Sequence, residues 1–204
     1  MKQRWFNVDR IGGISDGVFA IAMTLLVLEL KLPELETPVS QQVFLEALSK
    51  QLPHFISWLI SFAILCRLWI TQHALLEQGE KKSRGFTGLN FVFLGAISFI
   101  PFPTSLISQH SDQPLSVMIF SATYVVAGLA LAGMWYLLEK QAAGPDIRRD
   151  ASPAVKRVII GMPVIAMISC LLATVDPRYG IFVWIVFPFI GIIARRKKVH
   201  GVPE

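Results

Sequence analysis

Arg10, Ser15, Asp16, Thr24, Arg67, His73, Asn90 and Ser98 are among the polar or ionisable side chains that interrupt otherwise apolar stretches of this 204-residue chain. Most of the standard catalytic signatures are absent. The sequence has no HExxH, no Walker glycine loop and no GxGxxG opening a helix, so the chain is read as a non-enzyme. Ionisable groups at membrane depth do something else: lone burial is costly, so they pair across helices or line a water path. Cys66 and Cys170 sit within apolar runs, where they read as packed hydrophobes rather than a disulfide framework or a zinc pair, and no cofactor is expected.

The elements that position these residues follow from composition. Hydrophobic residues make up 53% of the chain and charged residues only 16%, with little left for a soluble domain. A helical span takes roughly 20 apolar residues, and the apolar runs fall at 11–32, 53–76, 86–107, 115–138, 155–175 and 180–194. They are too long and continuous for barrel strands. The expected fold class is therefore an all-α integral membrane protein with six transmembrane helices in a single domain over 1–204. The first run is bulky throughout and lacks a small-residue cleavage site, so it reads as a retained span. The last run, at roughly 22 Å of helix, is short for a ~30 Å hydrocarbon core. Residues 41–52 place Val43, Phe44, Ala47, Leu48 and Leu52 at helical spacing beside Glu46 and Lys50, as in an amphipathic surface helix. Pro101 and Pro103 should kink or end the third span, and Pro163 and Pro188 should bend the fifth and sixth.

Basic residues set the orientation. With the N-terminus inside, fifteen Lys and Arg fall on the inner side, including Lys2, Arg4 and Arg10, the Lys81–Arg84 cluster and the Arg195–Lys198 tail. Lys31, Lys50 and Arg178 are the three on the outer side. That asymmetry places both termini in the cytoplasm of a multi-pass plasma-membrane protein. It also accounts for the net charge of +5 without nucleic acid as a partner.

The first span is the most unusual segment. Arg10 to Gly17 opens a helix that then becomes apolar through VFAIAMTLLVLEL. At about 100° per residue, Ile21, Leu25 and Leu28 lie on one narrow stripe with Thr24 and Gly17 beside it, while Asp16 points about 140° away. The residues also admit a plainer reading: Arg10 as a positive-inside anchor, Ser15 or Asp16 as a helix N-cap after Gly12 and Gly13, and the stripe as lipid or packing surface.

The segment R10-IGGI-S15-D16-GVFAIAMTLLVLEL resembles the RxxxFSD signature of the potassium channel family called transmembrane protein 175, with Ile14 where that family carries Phe. The likeness continues through W69-IT-Q-H73 and LNFVFLGAISFIPFPTSL, covering about the first half of the chain. The resemblance implies a six-helix subunit with one signature, assembling as a homotetramer around first-span helices. Potassium would be the permeant ion, passing near Ile21 and Thr24. It implies that Ile21, Leu25 and Leu28 form an apolar pore constriction acting as a hydrophobic gate, with Thr24 a pore-facing hydroxyl. Arg10, Ser15, Asp16 and His73 would form an inter-helix polar network. No TVGYG filter is present, so carbonyl-ring selectivity is not expected.

Two rivals remain at this point. An ion-coupled secondary transporter would normally show internal repeats and broken helices around a midplane site, and only the proline-rich third span offers a break. For a non-conducting scaffold, Arg10, Asp16 and His73 would be an unnecessary cost.

Overall fold

The computed structural model describes residues 8–31, 38–78, 82–141 and 153–184, and all of its regular structure is helical. The helices are α1 (Val8–Val27), α2 (Gln41–Lys50), α3 (Leu52–Leu76), α4 (Arg84–Phe99), α5 (Pro101–Gln109), α6 (Pro114–Gln141) and α7 (Pro153–Ala173). Among the described residues five stretches are long and apolar enough to cross a membrane: Asp9–Val27, Leu52–Leu76, Arg84–Gln109, Pro114–Gln141 and Pro153–Ala173. Of the expected sixth run, 180–194, only the first residues are described. They belong to a helical stretch over 177–184, and the remainder, with Pro188, lies outside the described residues.

Local chemistry sets the boundaries. Ser40 and Ser83 cap α2 and α4, their hydroxyls accepting from the amides of Val43 and Phe86 at 3.3 and 3.1 Å. The third apolar run divides into α4 and α5 at Ile100, because Pro101 and Pro103 have no N–H to give to the preceding turn. The first run was expected to reach residue 32, but regular helix ends at Val27. The chain then tightens, the amides of Leu28 and Leu30 bonding three residues back to Leu25 and Val27. The sequence supplies the reason: Glu29 and Lys31 follow, and Pro33 disfavours helix in the residue before it.

Each span buries one stripe and leaves the other bare, as expected for helices in lipid or between subunits. On α3 the buried stripe includes Ser61, Ile64, Leu65, Leu68, Gln72 and Leu75. α1 packs on α3 and α4, while α6 packs on α4 and α7. α6 and α7 come close at Gly128, where an added Cβ would stand 2.8 Å from the Pro163 ring, so only glycine lets the proline-bearing helix come so near.

A candidate pore helix and its polar anchor

The two faces of α1 have different fates. Ile11, Ser15, Phe19, Ala22 and Leu26, spaced three or four apart, are all buried in the subunit, and the Phe19 ring lies 5.9 Å from that of Phe93 on α4. The opposite stripe is bare: Ile21 is 61% exposed, Leu25 41% and Leu28 60%. Ile21 and Leu25 are in regular helix, and Leu28 follows in the tightened turn. Thr24 is exposed beside them. Its hydroxyl donates back to the carbonyls of Ala20 and Ile21, both at 2.9 Å. The single hydroxyl proton is thus engaged with backbone, and the oxygen presents its lone pairs to whatever passes that face.

Ser15 and Asp16 lie in the helix interior, because α1 already begins at Val8. The N-cap alternative does not hold. Ser15 is fully buried and donates to the Ile11 carbonyl at 2.8 Å. Its oxygen accepts from Gln72 Nε2 at 2.7 Å, and the same Gln72 amide reaches Asn90 Oδ1 at 2.9 Å. Asn90 Nδ2 approaches Ser15 at 3.4 Å and closes the triangle. Three helices, α1, α3 and α4, are thereby joined by one buried polar junction in which Gln72 Oε1 alone has no partner. Asn90 thus bonds between helices. In the sequence Gln72 is marked only by its place in W69-IT-Q-H73 and by standing seven helical positions after Leu65.

The rest of the expected network is arranged differently. Asp16 is exposed in the single chain, not buried, and its donor is the indole of Trp69, whose Nε1 lies 2.8 Å from Oδ1. His73 stacks one turn further along α3, its ring 5.6 Å from that of Trp69, and its Nε2 lies 3.4 Å from Glu77. Among the described residues neither Arg10, which is exposed, nor His73 bonds to Asp16. The physical reason is geometric: on α3, residue 69 is the one whose side chain is turned toward Asp16, and the indole N–H satisfies an exposed carboxylate without a second buried charge. Arg67 is half-buried on α3 and partnered, and Ser98 donates to the Gly95 carbonyl.

A second polar junction was not anticipated. Ser121 of α6 and Ser169 of α7 are 2.8 Å apart, Trp184 Nε1 donates to Ser169 at 2.9 Å, and Ser169 donates to the Gly180 carbonyl. Single serines in apolar runs carry little sequence signal until their facing helices are known. Among the described residues no group of three His, Cys, Asp or Glu side chains is placed to hold a metal ion.

Residues 10–101 match the family model described as endosomal/lysosomal potassium channel TMEM175. A potassium channel of Chamaesiphon minutus is 34% identical over 140 residues, covering 69% of this chain and 68% of that protein. A potassium channel of Streptomyces collinus is 28% identical over 149 residues, 71% of each. In fold, the chain is similar to the crystal structure of a lysosomal potassium-selective channel TMEM175 homolog from Chamaesiphon minutus. That match has a TM-score of 0.78 at 23% identity and covers 92% of this chain and 97% of the other.

Proposed function

The chain belongs to the TMEM175 potassium channel family, and from that premise we propose that it is a potassium-preferring cation channel and not an enzyme. In this reading 1–204 form one channel domain of six spans. Four copies assemble in the plasma membrane with α1 around a central axis and both termini in the cytoplasm. The observation that carries the proposal is the bare stripe of α1. Ile21, Leu25 and Leu28 are apolar, aligned and unused by the subunit's own core, while the opposite face of the same helix is consumed by it.

Ringed about an axis, those side chains make apolar constrictions spaced by roughly 6 and 4.5 Å along the helix. A constriction without oxygen ligands admits an ion only when it is wide enough to keep much of the hydration shell, and it dewets and closes when narrower. Thr24 supplies the nearest oxygen, one turn from both Ile21 and Leu28, which places preference for potassium in a hydroxyl ring in place of a carbonyl filter. Ser15 and Asp16 serve the helix rather than the ion, holding α1 at a fixed rotation through Gln72, Asn90 and Trp69. The transporter alternative is not favoured, since the relatives are named as channels.

The test is flux from liposomes holding the purified chain. A channel passes potassium under a voltage alone, and the expected result is dye-reported efflux on adding a protonophore without any second solute gradient. Efflux that demanded a coupled ion, or none at all, would remove the proposal.

A further inference from the structure

At the end of the bundle where α1 stops and α3 begins lies an apolar surface that the described residues do not cover. α2 buries only Ala47, while Leu45 stays 55% exposed and Leu48 47%. Between α2, the tightened turn after α1 and the first turn of α3 lies a groove of about 500 Å³, a size suited to a small ligand. Leu30 and Lys31 form one wall, Leu45 and Leu48 the second, Leu52 and Phe55 the third. Ser49, at its edge, gives its hydroxyl to the Glu46 carbonyl at 2.8 Å and so offers the groove no donor. Among the described residues Lys31 is the one charged residue of the lining, and its ammonium has no ion pair or hydrogen bond there. Glu29 and Glu46, the acidic groups of this end among the described residues, are not in the lining.

We propose that this groove binds an anionic phospholipid, one acyl chain lying along Leu45, Leu48, Leu52 and Phe55 and the phosphate held by Lys31. Two observations fix the occupant. α1 and α3 are both long and apolar enough to cross a membrane, so a groove at their shared end lies where hydrocarbon gives way to headgroups. A greasy trough with a single unpaired cation at that level matches a molecule that is itself an apolar chain ending in an anion, and lysine's long stem lets its charge rise to headgroup height. A zwitterionic lipid fills the apolar part equally well, so the lysine is the element that selects. Leu30 and Lys31 directly follow the turn that ends α1, so a lipid seated there braces that turn against α2.

The experiment uses the full-length chain purified from membranes and equilibrated in mixed micelles with equal palmitoyl-oleoyl phosphatidylglycerol and phosphatidylcholine. Native mass spectrometry then counts each lipid retained per subunit. Wild type is expected to retain phosphatidylglycerol over phosphatidylcholine at least threefold. Lys31→Gln should bring that ratio close to one, Lys31→Arg should keep it, and Leu48→Trp, which fills the trough, should lower retention of both lipids with subunit number unchanged. Equal retention of the two lipids by wild type overturns the proposal, as does a preference that survives Lys31→Gln. A Leu48→Trp variant that changes subunit number while keeping its lipid also overturns it, because the face is then covered by a second copy of the chain.

Discussion

From Ser15 to Asp16, α1 is fixed to its neighbours by side-chain hydrogen bonds, whereas from Phe19 to Leu26 it is held by apolar packing alone. The two kinds of attachment constrain a helix differently. A bond such as Gln72 to Ser15 at 2.7 Å has a direction and a length, and it specifies both the rotation of α1 and its height against α3 and α4. Contacts through Ala22 and Leu26 specify that the face is covered but tolerate small rotations, since dispersion and burial are non-directional. One end of α1 is therefore a registered anchor. The other end, which carries Ile21, Thr24, Leu25 and Leu28, is the part a few degrees of rotation would change.

Breaking the anchor should have the largest effect. Gln72→Leu removes the amide that serves both Ser15 and Asn90 and leaves Asn90 Oδ1 buried without a donor. The expected loss is about 1–2 kcal/mol of stability, read as a lower melting temperature in detergent and less assembled protein. An unchanged melting temperature would mean that the junction is incidental and that packing alone sets the helix.

The converse substitution lies on the bare stripe. Ile21→Asn touches no subunit core, so stability should stay within about 0.5 kcal/mol of wild type. Current should nevertheless rise several-fold and selectivity relax, because a wetted ring no longer excludes hydrated ions. If the stripe is instead lipid-facing or an inter-helix packing surface, the variant expresses poorly or conducts like wild type. Single-channel recording with matched thermal melts separates these outcomes.

The contrast between the ends of α1 also marks what the sequence could and could not disclose. Apolar runs of about 20 residues have few fates, so the runs at 53–76 and 115–138 could be read directly, and prolines at 101 and 103 announced the break at Ile100. The helix at Gln41–Lys50 followed from the helical spacing of its apolar residues. The aligned stripe of Ile21 and Leu25 needed only the 100° period. Partner identity was harder. Which of Arg10, Trp69 or His73 meets Asp16 depends on how far α3 is rotated against α1, and the residues along α3 encode that rotation only through all of its contacts together. Ser121 and Ser169 were illegible for the same reason: small polar residues in apolar runs show no period of their own, and they meet only because Gly128 and Pro163 let α6 and α7 approach closely.

A smaller effect sharpens the anchor's inventory. Trp69→Phe keeps an aromatic ring against His73 but removes the N–H donated to Asp16, so stability should fall by roughly 1 kcal/mol, less than for Gln72→Leu because Asp16 is exposed and water can replace the donor. His73→Gln, which leaves that bond intact, should cost less still. Melting temperatures in the reverse order would restore the imidazole as the main partner of the carboxylate.

The smallest expected effect, and the most specific, belongs to Thr24. Its hydroxyl proton is committed to the carbonyls of Ala20 and Ile21, which fixes the oxygen in place and leaves it only as an acceptor toward the exposed face. An acceptor ring held rigidly by its own backbone is suited to replacing part of a cation's hydration shell, and it cannot be satisfied by turning away. Thr24→Ala deletes the oxygen and should leave stability within about 0.5 kcal/mol, since threonine's back-bond in a helix interior contributes little. Potassium over sodium preference should nevertheless fall a few-fold, read as a shift in reversal potential under mixed potassium and sodium. Thr24→Ser keeps the oxygen and should retain the preference, while Thr24→Val keeps the shape and should lose it. A reversal potential that follows side-chain volume, grouping Thr24→Val with wild type, would place selectivity in the apolar rings of Ile21 and Leu25 and leave the hydroxyl without a part in it.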